Sequence, residues 1–234
     1  MSQAVVNPVA AVSSESRWVR DVLLVSGGVL MAVTLYLVFL WVPTERTLGA
    51  SYRIFYFHVS AGILSYLAFI VVGVASVMYL YNRELKWDRL AYCSAEIGVL
   101  FVATNISMGM LWAKPVWGIW WTWDARLTLQ LLLALIFISY LMLGAYVSDP
   151  MKRASLQAVF GILGATDVPI NYMAIRWWRT QHPAPVIAGG EDSGLDPAMQ
   201  VAFAVSIFSL GLLYTYMLRR RLDVERSSQQ VEYF

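Results

Sequence analysis

Apolar residues gather along the chain into six long runs, at about 22–41, 57–80, 90–112, 127–147, 155–175 and 198–218. Each is close to the roughly 20 residues that a helix needs to cross about 30 Å of hydrocarbon. Short polar or aromatic segments separate them. The pattern predicts an all-α integral membrane protein with six transmembrane helices. The runs are not copies of one another, so no internal repeat is expected. The first run is longer than the apolar stretch of a signal peptide. No small-x-small cleavage site follows it before Trp41-Val42-Pro43, so it reads as a retained anchor. The expected organisation is a polar tail over 1–20, a membrane domain over 21–221 and a second polar tail over 222–234.

Basic residues set a direction. If the N-terminus is inside, the inner segments hold Arg17, Arg20, Arg83, Lys86, Arg89, Lys152, Arg153, Arg219, Arg220, Arg221 and Arg226. The outer segments hold Arg46, Arg53, Lys114, Arg126, Arg176 and Arg179. Eleven against six favours both termini in the cytoplasm. The segment between helices three and four then faces outward. So do the chain's only two histidines, His58 at the outer end of the second span and His182 between the fifth and sixth.

Composition narrows the chemistry. Only 14% of the residues are charged, against about 25% in a typical soluble domain, and nucleic acid is not an expected partner. The single cysteine, Cys93, excludes an intrachain disulfide and a cysteine-only metal site. There is no Cys-x-x-Cys-His run for covalent haem attachment, no dinucleotide fingerprint and no phosphate-binding glycine loop. Work driven by ATP therefore needs another subunit.

The segment 114-KPVWGIWWTWDARLT-128 stands out. Five tryptophans, Trp112, Trp117, Trp120, Trp121 and Trp123, fall within twelve residues. Trp117, Trp120, Trp121 and Asp124 are spaced to share one face of a short interfacial helix, with Pro115 in its first turn. Asp124 is placed to cap the fourth span near Ala125 to Leu127. Tryptophan belts mark many membrane interfaces, but belts are spread among helix ends, and this density suits a shelf for a large flat apolar ligand. A lone histidine is more often a packing residue than a ligand. Here both histidines fall on the tryptophan face, and two neutral imidazoles are able to hold a haem iron from opposite sides while indoles contact the porphyrin. Arg53, Arg126, Arg176 and Arg179 are candidate partners for the propionates, and anchoring at lipid headgroups is their plain alternative. Within the spans, Asn105, Asp167 and Asn171 are costly in hydrocarbon and predict contacts between helices, with Glu96 nearer the inner end. Pro169 removes one helix hydrogen bond beside Asp167, which is a candidate for the floor of an outer pocket.

These residues resemble a known family. The run 112-WAKPVWGIWWTWDARLT-128 is similar to the tryptophan-rich (WWD) signature of haem-handling proteins, and most of all to the CcmC group of the cytochrome c maturation system. The stretch 52-YRIFYFHV-59 resembles that group's first histidine segment, 168-VPINYMAIRWWRTQH-182 its second, and 195-LDPAM-199 its entry into the last span. Ser60 and Leu129 depart from the group's usual proline and serine, and neither is a proposed ligand. The resemblance covers nearly the whole chain. It implies haem b bound transiently at the outer face of the inner membrane, with His58 and His182 as axial ligands. It also implies contacts from Trp112, Trp117, Trp120, Trp121, Trp123, Asp124 and Arg126. The implied partners are a CcmE-like periplasmic haem chaperone and an ABC-type assembly of an ATPase, a second membrane subunit and a small membrane subunit. The implied role is presentation of haem rather than catalysis. A cytochrome c haem lyase of the same superfamily and a b-type electron-transfer subunit are the competing readings. Two histidines and six spans argue against the first, and the second calls for more histidine pairs than the one available; a permease that passes haem through the spans is a third, and the sparse polarity of the spans does not decide it.

Overall fold

The computed structural model describes residues 14–183 and 195–232. It has six long helices: α1 (Ser14–Tyr36), α2 (Ile54–Asn82), α3 (Leu85–Trp117), α4 (Ala125–Tyr146), α5 (Pro150–Trp177) and α6 (Pro197–Glu232). All six are long and apolar enough to cross a membrane, and no strand occurs among the described residues. Each helix reaches past its apolar run by up to a few turns. The last runs on to Glu232, so that residues 222–232 of the expected C-terminal tail are helical. Of the first expected tail, residues 1–13 lie outside the described residues and Ser14 opens α1.

Local chemistry fixes the helix ends. α1 widens into a π turn at Leu37–Trp41, where the Val42 amide reaches back to Leu37 O at 2.8 Å. Val42 is extended, as a residue before proline must be. α2 stops at Arg83, which takes the left-handed conformation and donates its amide to Tyr79 O. Asp149 caps α5 by accepting from Lys152 N at 2.7 Å, with Pro150 at the first helical position.

α2 is the central helix, packing closely on α3, α5 and α6, while α4 lies against α5 and α3, and α1 against α6. At the middle of the bundle Phe69 and Phe137 stack face to face at 3.8 Å. They fit because Gly98 and Gly164 leave room: a Cβ at either would come within 2.6 Å of a ring atom. Small residues bring helices close in the same way at Gly73, where a Cβ would sit 2.4 Å from Ala165 Cβ. Buried polar groups tie helices together. Ser94 Oγ lies 2.9 Å from both Ala68 O and Tyr214 Oη, joining α3 to α2 and α6, and Gln157 donates to Tyr140 O across α5 and α4. At the end opposite the histidines, Arg221 bridges Glu96 at 2.6 Å and Glu225 at 2.9 Å, linking α6 to α3.

The chain order places the C-terminal ends of α1, α3 and α5 and the N-terminal ends of α2, α4 and α6 together at one end of the bundle. That end carries both histidines and the tryptophan segment.

Candidate haem site at the histidine end

A cavity of about 630 Å³ opens at this end, within the 300–1,000 Å³ range usual for small-molecule and cofactor sites. His58 and His182 both line it. Their rings lie 6.5 Å apart, centre to centre, tilted by 33°. His58 sits in the second turn of α2, and His182 follows the end of α5.

The hydrogen bonds of each ring favour one tautomer. His58 Nδ1 lies 2.9 Å from the backbone oxygen of Asn105 on α3 and 3.3 Å from Asn105 Nδ2; the shorter contact is to a carbonyl, which can only accept, and it favours the proton on Nδ1. The Asn105 side chain donates to His58 O at 2.8 Å, which fixes the backbone beneath the ring. His182 Nδ1 lies 3.0 Å from Pro183 O, and the same reasoning applies. Both rings therefore keep Nε2 unprotonated with its lone pair free, the arrangement in which one nitrogen orients and the other binds. Desolvation first, then the nearby Arg126 charge, pushes the His182 imidazole down to about 4, so it is neutral at physiological pH.

The ring separation fits one metal between two imidazoles. A metal–imidazole bond of about 2.0–2.1 Å, with roughly 1.1 Å from nitrogen to ring centre, would set the two centres about 6.3 Å apart. No cluster of three or more His, Cys, Asp or Glu able to hold a metal occurs among the described residues, so any iron here relies on the two imidazoles and a macrocycle.

The tryptophan segment supplies the cavity's rim. α3 does not stop before the segment: it runs to Trp117 and ends at Gly118, whose φ of 76° only glycine adopts freely. The Gly118 amide bonds Lys114 O, and Lys114 Nζ bonds Gly118 O, each at 3.0 Å. The expected interfacial helix over Trp117–Asp124 is thus absent. Pro115 sits in the last turn of α3 and deprives it of a hydrogen bond, and Trp120, Trp121 and Trp123 follow in irregular backbone. Trp112, Trp117, Trp120 and Trp121 still line the cavity. Trp112 meets Trp117 edge to face at 5.1 Å, and Trp121 meets Trp123 likewise at 5.7 Å. Trp123 is exposed and lies outside the lining. Asp124, also outside it, caps α4 by accepting from Leu127 N at 3.0 Å, as its position predicts.

Arg126 is the one cation among the lining residues. It donates to Asn171 O at 2.5 Å and lies 5.7 Å from the Tyr66 ring. The other arginines offered for propionates do not line the cavity. Arg53 turns to Phe39, donating to the carbonyl that the π turn of α1 presents. Arg176 lies over Tyr172, and Arg179 is exposed beyond α5. Asp167 is buried but not in the wall. Gln130 lines the cavity, and its Oε1 accepts from the buried Asn171 at 3.0 Å and from Tyr66. Two donors at the cavity, Trp121 Nε1 and Gln130 Nε2, are buried with no acceptor among the described residues. Indole walls, two free imidazole nitrogens and unused donors suit a flat apolar macrocycle with a metal centre and acidic substituents.

A model of the Heme exporter protein C (CcmC) family matches residues 1–233. The chain belongs to that family. Heme exporter protein C of Bradyrhizobium diazoefficiens is 34% identical over 214 residues, covering 87% of this chain and 80% of its own length. Its counterpart in Escherichia coli K12 is 30% identical over 206 residues, covering 88% and 82%. A putative cytochrome c biosynthesis ccmC-like mitochondrial protein of Marchantia polymorpha is 29% identical over 194 residues, covering 82% of each chain.

For this CcmC-family chain, the residues that sequence reasoning missed are the supports of His58. Gly62 leaves room for Asn105, since a Cβ there would lie 2.8 Å from Asn105 Nδ2. Gly109 leaves room for His58 itself, with a Cβ 3.0 Å from His58 Cε1. Their spacing was the available signal: Gly62 and Tyr66 follow His58 at i+4 and i+8, and Gly109 follows Asn105 at i+4. Tyr66, Gln130 and Tyr172 also line the wall.

Proposed function

We propose that this protein holds haem at the outer face of the bacterial inner membrane and presents it to a periplasmic haem chaperone for cytochrome c maturation. The observation that carries the reading is the pairing of the chain's only two histidines, 6.5 Å apart at a tryptophan-lined cavity, each with its Nδ1 already committed to a carbonyl. The names of the relatives, heme exporter protein C and cytochrome c biosynthesis ccmC-like protein, agree with it.

In this reading the chain orients and shields haem b, bound transiently. His58 and His182 hold the iron, and Trp112, Trp117, Trp120 and Trp121 cover the macrocycle. Trp123 extends the aromatic surface toward the chaperone. Asp124 acts through the backbone by fixing the start of α4, which carries Arg126 beside the site. The chain is a handling subunit rather than an enzyme. The vinyl groups of haem and the chaperone supply the bond-forming chemistry. An ABC-type ATPase, a second membrane subunit and a small membrane subunit complete the assembly.

The test is spectroscopic. Protein purified with haem is expected to show a low-spin spectrum, and His58→Ala or His182→Ala to lose haem or shift it to high spin, with less chaperone loaded. Full low-spin occupancy in both variants would refute the ligand assignment. Orientation follows from the bias of basic residues toward the end opposite the histidines. A cysteine at Gln181 is expected to react with a membrane-impermeant thiol reagent in intact spheroplasts, and one at Lys152 only after lysis. The reverse labelling pattern overturns the orientation.

A further inference from the structure

The cavity does not end among the tryptophans. Its α2 wall descends from His58 through Ile63 to Leu67 and Ile70. Those last two residues line the cavity and are also open on the outer surface of the bundle, at 45% and 47% exposure. From His58 to Ile70 is about 18 Å along the helix at 1.5 Å per residue. In a hydrocarbon layer about 30 Å thick, that lower end lies well inside the lipid.

The gap has a structural cause. α2 packs on both α5 and α6, but α5 and α6 make no extended contact with each other among the described residues. The strip of α2 between them is left uncovered, and it continues downward in the exposed Val74 and Val77. A second apolar recess, of about 620 Å³, lies between α1, α2 and α6 and shares Ile63 and Leu67 with the cavity. The wall that α2 gives the cavity therefore passes round the helix from the candidate haem site to the lipid-facing surface. Polar groups line the cavity at Asn105, Arg126, Gln130, the two imidazoles and the hydroxyls of Tyr52, Tyr66 and Tyr172, whereas the strip of Ile63, Leu67 and Ile70 is aliphatic.

We propose that this strip is a lateral portal, through which haem enters the site from the bilayer between α5 and α6. The inference rests on the haem reading above. An aliphatic path costs a flat apolar macrocycle little desolvation, whereas a route for a water-borne ligand would leave apolar walls wetted. Along the strip itself, Ile63, Leu67 and Ile70 offer no hydrogen-bonding side chain.

The portal can be blocked after folding. Ile70→Cys protein, reconstituted in phosphatidylethanolamine–phosphatidylglycerol vesicles, is labelled with a bulky aromatic methanethiosulfonate. Cys93 is fully buried and does not compete for the reagent. Haemin dissolved in the same bilayer is then added by vesicle mixing, and growth of the low-spin Soret band is followed by stopped flow. The label is expected to slow loading about tenfold or more while leaving the final spectrum unchanged, and reduction of the label to restore the rate. Ile138→Cys, on the exposed face of α4 and outside the cavity, is expected to load at the wild-type rate when labelled. Unchanged loading in labelled Ile70→Cys protein, or equal slowing at Ile138, overturns the portal while the haem site stands. Absence of low-spin haem in the unlabelled protein removes the site and the portal with it.

Discussion

Gly109 faces His58 across the contact between α2 and α3, and a single methyl group there tests whether the ring is held in a binding pose. A Cβ at this position lies 3.0 Å from His58 Cε1 and 3.4 Å from Nδ1. Ordinary carbon contacts are about 3.5–4.0 Å, so in Gly109→Ala the ring must retreat by roughly half an ångström. It has little freedom to do so. Its Nδ1 is bound to Asn105 O at 2.9 Å, and its own carbonyl accepts from Asn105 Nδ2 at 2.8 Å. Overpacking of this kind costs about 1–3 kcal/mol. Charged against the ligating pose, that is about a 5- to 150-fold loss of haem affinity. The assay is a haemin titration of purified protein in detergent, followed at the Soret band. The control is the double variant: in a His58→Ala background the added methyl has no ligand to displace, and its further effect is expected to stay within about 0.5 kcal/mol. Wild-type affinity and a low-spin spectrum in Gly109→Ala would refute the reasoning. So would an equal loss with and without His58, because the methyl would then be acting on the fold rather than on the ligand.

Two further outcomes separate the site from its scaffold. Asp124→Ala removes the α4 cap and the acceptor of the Thr122 hydroxyl, which is expected to cost about 0.5–2 kcal/mol of stability. The thermal midpoint in detergent should fall while the spectrum of bound haem keeps its shape. A changed spectrum at unchanged stability would place Asp124 in contact with haem instead. Gly73→Leu puts a branched side chain where even a Cβ lies 2.4 Å from Ala165 Cβ, so α2 and α5 must separate. Folded yield is expected to collapse, and a wild-type melting curve would show that the two helices do not meet as described.

The sequence by itself determined the six helices, because spanning a membrane is a local property: about 20 apolar residues in a row suffice, whatever they later touch. Every predicted span is a helix, and the Asp124 cap is where its spacing to Leu127 put it. The clustering of His58, His182 and the tryptophans at one end also followed, since counting crossings is enough to assign ends. Three-dimensional packing decided the rest. Helical spacing alone could not show that α3 absorbs Pro115 and Trp117 and breaks at Gly118, where a backbone turn outweighed an amphipathic pattern. Nor could it show that Arg53 spends its donor on Phe39 O, because the π turn that presents that carbonyl belongs to another helix. The support of His58 by Asn105, with Gly62 and Gly109 clearing space for both, depends on the register of α2 against α3. Register is set by the fit of side chains across the whole interface, and no single stretch of sequence carries that information.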